Sequence, residues 1–316
     1  MKTLSQAAFE RARQFLLQQA RPLERALFLQ RFEGAGSQDV LAALSAFQND
    51  DGGFGRALEP DLRSPSSSAL ATAIGLQTLV ELDCPAEEPR VRRAVAYLLA
   101  THDERTGVWR VAPRDVNAYP HAPWWHDQDG SLERTFDGFL TIPRVLVVAG
   151  LQHYAPLVPA DWLESVRADT IRDIEADPEL GGGGGSDLMY AVVLAETRGL
   201  PQPDRQRLVA RIRQTIPAAV VGDPARWNTY CLTPLRVIAN PRTVGADLIA
   251  AQVRMHLDYQ IDHQSAEGTW DPVWSWAGTY PEVWAQARLE WRGHLTLETL
   301  TQLRAFGRLQ GQIRSA

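Results

Sequence analysis

Leu44-Ser45-Ala46-Phe47-Gln48-Asn49-Asp50-Asp51-Gly52-Gly53-Phe54-Gly55 is the stretch that decides the fold, because its pattern returns near the other end of the chain. There, Tyr259-Gln260-Ile261-Asp262-His263-Gln264-Ser265-Ala266-Glu267-Gly268-Thr269-Trp270 keeps the same spacing from glutamine to glycine to aromatic. A looser copy runs from Tyr97-Leu98-Leu99 through His102 to Gly107-Val108-Trp109. Each copy closes a run of helical periodicity, so each reads as a helix followed by a tight turn. Gly52 and Gly268 supply the left-handed backbone that such a helix end requires. The aromatic two residues later folds back on the helix, and the glutamine amide hydrogen-bonds the exposed backbone of the turn.

From Gln48 to His102 is 54 residues (102 − 48), and from His102 to Gln264 is 162 (264 − 102), three such periods. A period of that size suits one helical hairpin with its loops, so two weaker copies are expected in between. The chain of 316 residues divided by this period is just under six. The expected fold is therefore all-α, an α/α toroid of about six hairpins in one domain, 1–316.

Outside the turns, helical spacing dominates and strand alternation is nearly absent. Ser5 caps a first helix carrying Phe9, Ala12 and Leu16, and a second runs from Leu23 to Phe32. Ser37 caps a third with Val40, Leu41, Leu44 and Phe47. Ser66–Leu82 is a fourth, and Pro89 opens a fifth through Leu99. Further helices are expected near 132–153, 161–176, 187–199, 204–216, 226–239, 244–262, 281–292 and 296–308. Gly181 to Gly185 reads as a hairpin connection, with Ser186 or Asp187 as the next N-cap.

The turn from Gln48 to Gly55, with its partner from Gln264 to Trp270, resembles the Gln–Trp repeat of the squalene-hopene cyclase and protein prenyltransferase β-subunit superfamily. It is similar to the turns of bacterial proteins with prenyltransferase-like repeats. The resemblance implies an α/α toroid with a central cavity lined by the inner ring of helices. It covers the turns and the period but not the catalytic motifs. The Asp-x-Asp-Asp acid of class II cyclases is missing, and Asn49-Asp50-Asp51 sits inside the turn. Cys231 has no aspartate two residues before it, which removes the zinc pattern of the prenyltransferases. The DDxxD magnesium motif is missing too.

Composition narrows the function classes. A net charge of −6 with no basic run argues against a nucleic-acid surface. Two distant cysteines, Cys84 and Cys231, suit free thiols in a reducing cytoplasm. The charged N-terminus has no apolar core of a signal peptide, and no segment has the length of a membrane span. No cofactor and no metal site is expected. The partner class such a fold admits is a small-molecule or lipid-like ligand, and nothing in the sequence sets the oligomeric state.

Three segments hold side chains that the repeat does not require. After the first turn, Glu59-Pro60-Asp61-Leu62-Arg63 offers an acid pair that either serves as acid and base or pairs with Arg63 to fix the loop. The long 101–130 loop carries Asp115, His121, Trp124, Trp125 and His126, and forms either a lid or a surface loop packed by its tryptophans. The third segment holds five of the ten tryptophans. In it Asp271, Trp274 and Trp276 are cavity candidates, Trp284 and Trp291 are core by their seven-residue spacing, and Glu290 lies beside Trp291. His256 and His263 read as helix-surface residues. Aromatic walls serve a carbocation, a sugar face or plain apolar packing. Three functions stay open: an enzyme with an isoprenoid-like substrate, a carbohydrate-active enzyme, and a non-catalytic module for lipid, peptide or glycan. Glu59, Asp61, Asp115 and Asp271 are the candidate acids, and loops after equivalent turns are expected to bring all three segments to one mouth.

Overall fold

The computed structural model describes residues 1–132, 142–178, 180 and 186–311. Its α-helices are α1 (Gln6–Gln18), α2 (Pro22–Glu33), α3 (Gln38–Ser45), α4 (Ala69–Glu81), α5 (Pro89–Thr101), α6 (Arg144–His153), α7 (Ala160–Ala176), α8 (Ser186–Glu196), α9 (Gln202–Ala219), α10 (Pro234–Val237), α11 (Ala250–Asp262) and α12 (Pro281–Ala305). Among the described residues there is no β-strand, only isolated bridges. The fold is all-α, and no described helix is long and apolar enough to cross a membrane.

The chain divides into two compact units. Leu44–Thr215 forms a middle unit, and Met1–Ala43 with Ile216–Ala316 forms a terminal unit. In the middle unit α4, α6 and α8 lie side by side, while α5 packs on α4 and α7 packs on α6. This is a double layer of helices. The first layer is apolar nearly all round, as doubly covered helices are. Every residue of α6 from Arg144 to Gln152 is buried. At Gly150 an added Cβ would lie 2.6 Å from Leu76 of α4, so glycine permits the close approach. The second layer is amphipathic, with Val91, Ala94, Val95 and Leu98 on the covered face of α5.

In the terminal unit α1 packs on α2 and α12, and α2 also packs on α12. The two ends of the chain are tied together. Leu4 N–H donates to Arg308 O at 2.7 Å, and Gln310 N–H donates to Leu4 O at 3.0 Å.

The two repeat turns have one geometry. Gly52 has φ +92° and Gly268 has φ +88°. Gln48 Nε2 donates to Gly52 O at 2.9 Å and to Arg90 O of α5 at 3.0 Å. Gln264 Nε2 donates to Gly268 O at 3.0 Å and to Ala8 O of α1 at 3.0 Å. The aromatic amides match as well: Phe54 N–H donates to Thr72 Oγ1 at 2.9 Å, and Trp270 N–H donates to Thr296 Oγ1 at 3.3 Å. In the third copy Trp109 Nε1 donates to Leu98 O, as Trp270 Nε1 does to Gln260 O. Each glutamine therefore staples its turn to the first part of a neighbouring helix.

Several expectations need correction. One period beyond His102 the chain does turn, at Ala155–Leu157, but two periods beyond it lies inside α9, so the regular period fails there. The helix expected over 226–239 is instead a 3₁₀ turn, Pro224–Arg226, and the short α10. Pro234 forces Thr233 into an extended conformation (φ −78°, ψ 158°), which stops a continuous helix. The helices expected at 281–292 and 296–308 are the single α12. Gly293 marks close packing rather than a break, because an added Cβ would lie 3.1 Å from Ala20 Cβ. The first part of the 132–153 helix and the run Gly181 to Gly185 lie outside the described residues.

His256 is not a surface residue. It is 2% exposed, and its ring packs edge-on to Trp227 at 4.5 Å. Its Nδ1 accepts from the Leu235 N–H at 3.3 Å. Burial alone holds its pKa down at about 3. The folded state thus keeps His256 neutral while the unfolded chain takes up a proton below about pH 6.5. Stability is full above that pH and falls by about 1.4 kcal/mol per pH unit between there and the folded pKa. Urea titrations at pH 7 and pH 5 should differ by about 2 kcal/mol from this residue, and His256→Gln should remove that part of the slope. An unchanged slope in the variant would show that His256 is not desolvated.

Candidate functional site

The loop after the first repeat turn begins under strain. Arg56 and Ala57 both have positive φ, 53° and 61°. Two consecutive non-glycine residues in that region cost energy that surrounding bonds must offset. Arg56 Nε donates to Asn49 Oδ1 at 2.7 Å, and Asn49 Nδ2 donates to Pro65 O and Ser67 Oγ, each at 2.9 Å. This loop delivers Glu59 and Asp61 into the protein, where they are 6% and 2% exposed. Glu59 borders a void of about 10 Å³ with Leu58, Ser64, Ser66 and Ser68. That is about the volume that holds one water; neither a sugar ring nor an isoprenoid chain fits. Trp124 does not border it.

The 101–130 loop is ordered into two 3₁₀ turns, Val116–Ala118 and Pro123–Trp125. It packs against the Glu59 loop as a short antiparallel pairing. Ala122 N–H donates to Asp61 O at 2.9 Å and Arg63 N–H donates to Pro120 O at 3.2 Å. Asp115 closes the pairing, because Ser64 Oγ and Ser66 Oγ each donate to one of its oxygens at 2.8 Å. Its carboxylate thus joins two loops. Arg63 Nη1 donates to Pro60 O at 3.2 Å. Trp125 is buried, Trp124 is half-buried and His126 is exposed. Burial would raise the Asp127 carboxyl, but hydrogen bonds from Arg110 and the Leu132 N–H outweigh it and hold the group below the usual carboxylate range. The middle unit thus gathers Glu59, Asp61, Arg63, Asp115, His121, Trp124, Trp125 and His126 on two mutually paired loops.

Asp271, Trp274 and Trp276 belong to the terminal unit. Asp271 faces Arg288 at 3.2 Å and Arg292 at 3.3 Å, an ion-pair cluster on the first half of α12. Trp276 has no exposed surface and packs on Trp284 at 5.6 Å. The expected roles are reversed here. Trp276 is the core residue, while Trp284 and Trp291, expected as core, are only half-buried. Trp274 is half-buried, with Trp291 edge-on at 5.0 Å and Tyr230 edge-on at 6.1 Å. Tyr230 is 49% exposed, and Arg236 lies over its ring at 4.9 Å. Tyr230, Trp274 and Trp291 form an aromatic shelf open to solvent. The Trp274 Nε1 donor is buried with no acceptor among the described residues.

The terminal unit also holds a polar cluster that the sequence reading left out. Arg21 donates to both oxygens of Glu24, through Nε at 2.8 Å and through Nη2. Its Nη1 lies 3.9 Å from Glu290 Oε2, and Gln286 Nε2 donates to Glu290 Oε1 at 3.0 Å. Glu24 and Glu290 are 2% and 6% exposed. The available signal was Arg21-Pro22-Leu23-Glu24, where a proline at the first helical position sets an i,i+3 ion pair across the helix start. Among the described residues no three His, Cys, Asp or Glu side chains converge as a metal-binding group. In comparisons with known proteins, the chain matches no family model and no curated sequence.

Proposed function

We propose that the hairpins close into a single α/α toroid and that the protein binds a carbohydrate on the shelf of Tyr230, Trp274 and Trp291. Closure is supported by the repeat staple. The last turn, through Gln264, grips α1 in the way the first turn grips α5, and Leu4 pairs with the chain near Leu309. A ring needs its last hairpin to meet its first in this manner.

The observation that carries the ligand reading is the half-open aromatic face made by Tyr230, Trp274 and Trp291. A sugar offers both a C–H face for the rings and hydroxyl groups for polar side chains beside them, whereas an isoprenoid offers only the first. Asp271, Arg288 and Arg292 add charged partners for hydroxyl groups near the same segment. The role proposed is binding. Asp115 joins two loops and Asp271 lies in an ion-pair cluster, so neither is assigned catalysis. An isoprenoid-like ligand is the second reading, implied by the resemblance of the repeat turn to the Gln–Trp repeat. We also place the protein in the cytoplasm, because Cys84 and Cys231 are buried free thiols of the kind a reducing compartment maintains.

Tryptophan fluorescence tests the ligand class. Soluble gluco-, xylo- and chito-oligosaccharides are titrated into the protein alongside farnesol and geranylgeraniol. An oligosaccharide series should perturb emission saturably, and Trp274→Ala should weaken it at least about tenfold. Saturable binding of the prenyl alcohols alone would transfer the shelf to the second reading. Equal affinity of Trp274→Ala and the native protein would remove the shelf from either.

A further inference from the structure

We infer that the aromatic shelf selects an acidic sugar, an oligosaccharide whose rings carry a uronic carboxylate, and that Arg236 takes that carboxylate. The inference rests on the carbohydrate reading of Tyr230, Trp274 and Trp291, and its ground is the charge beside them. Arg236 lies in α10, half-buried, with its Cζ 4.9 Å from the centre of the Tyr230 ring. Its Nη1 donates to Cys231 O at 3.2 Å, and its Nη2 donates to Tyr230 Oη at 3.5 Å. Stack and bonds together hold the guanidinium against the exposed ring. A guanidinium has five N–H donors, so these two bonds leave most of the fork unspent. Among the described residues no carboxylate pairs with it. Asp223, at the head of the same loop, accepts from the Ala225 N–H at 3.0 Å, and Asp271 is committed to Arg288 and Arg292. Arg226 adds a second, exposed cation to this loop. The thiol of Cys231 registers both: burial pushes it up, while Arg226 and Arg236 pull it down, and no acid among the described residues opposes them there.

A uronate suits this arrangement in both of its parts. Its C–H face stacks on the aromatic rings, as any pyranose does. Its carboxylate stands at the edge of the sugar ring, and a planar guanidinium receives a carboxylate through two parallel bonds. A neutral sugar leaves the free part of the fork to water. The net charge of −6 does not prevent this. At physiological ionic strength a distant charge is screened within about 8 Å, so the arginines beside the shelf set the local sign.

Trigalacturonate and its carboxyl-reduced counterpart, the neutral galactose trimer, share ring and linkage and differ in charge. Each is titrated into the full chain by tryptophan fluorescence at low and at high salt. The acidic trimer should bind at least about tenfold more tightly at low salt, and salt should shrink that advantage. Arg236→Met should bring the acidic trimer to within about twofold of the neutral one while leaving the neutral affinity unchanged. Arg236→Lys keeps the charge without the fork and should retain part of the preference. Arg92→Met, which removes an exposed arginine of the middle unit, is the control and should behave as the native protein does. Equal affinity for the two trimers in the native protein would overturn the inference and leave the shelf a site for neutral sugars. A preference for the acid that survives in folded Arg236→Met would overturn it too, since the carboxylate would then lie elsewhere. Binding of neither trimer, with no response to the gluco-, xylo- and chito-oligosaccharides, would remove the carbohydrate reading itself.

Discussion

Replacing Gly52 by alanine is expected to destabilise the protein by about 3 kcal/mol or more, from two additive causes. The first is conformational: φ at Gly52 is +92°, a region that costs an L-residue about 1–2 kcal/mol. The second is steric. An added Cβ would lie 2.5 Å from Arg93 O, and a backbone atom cannot move aside as a side-chain end would. The turn must therefore lift from α5, which breaks the bond from Gln48 to Arg90 O. Gly268→Ala should behave alike, since its Cβ would lie 2.5 Å from Ala12 N of α1. Gly107 separates the two causes. Its φ is +70°, yet nothing lies within 4 Å of an added Cβ, so Gly107→Ala should cost only about 1–2 kcal/mol. Urea denaturation of the three variants gives the ranking. A Gly52→Ala cost no larger than that of Gly107→Ala would falsify the staple as a tight interface.

The turn was legible because its chemistry is local. A glycine that must take positive φ, a glutamine four residues earlier and an aromatic two residues later leave their mark within a dozen residues. Helix existence was legible for the same reason, through periodicity and caps such as Ser5, which accepts from Ala8 N–H. Elements failed where a local signal had a tertiary cause. The break expected between 292 and 296 is absent, and Gly293 there lies against Ala20. His256 looked polar enough for a surface and is buried among Trp227, Tyr259 and the Leu235 amide.

The candidate site was legible to a lesser degree. The Glu59 and His121 segments were singled out for their composition, and the structure pairs them through backbone bonds that no side-chain pattern announces. Composition does not reveal what a carboxylate is committed to. Asp115 meets two serine hydroxyls, and Asp271 meets two arginines, so acids that looked catalytic join loops or ion pairs. Tryptophan spacing misled in the other direction. Seven residues place Trp284 and Trp291 on one face of α12, but that face is the half-open one, and the fully buried ring is Trp276.

Arg21→Met is expected to cost about 3–5 kcal/mol. Arg21 sits between two carboxylates on different helices, Glu24 of α2 and Glu290 of α12. Its side chain is 11% exposed, and those of Glu24 and Glu290 are 3% and 8% exposed. Water therefore contributes little to screening the carboxylates, and removing the guanidinium takes the shared counter-charge from two buried acids. Arg21→Lys keeps the charge but loses the two-pronged bond to Glu24, so it should recover only part of the loss. Arg21→Met with Glu24→Leu removes the strongest unpaired acid together with its partner. If the cost lies in stranded charge rather than in lost packing, that double variant should be more stable than Arg21→Met alone. Chemical denaturation of the three variants reads the order directly. A double variant less stable than Arg21→Met would mean that Glu24 contributes through bonds other than the one to Arg21, and that the cluster organises α2 against α12 by a wider network. A native-like Arg21→Met would mean that the carboxylates are solvated, and the reading of this cluster as a buried clamp between α2 and α12 would fail.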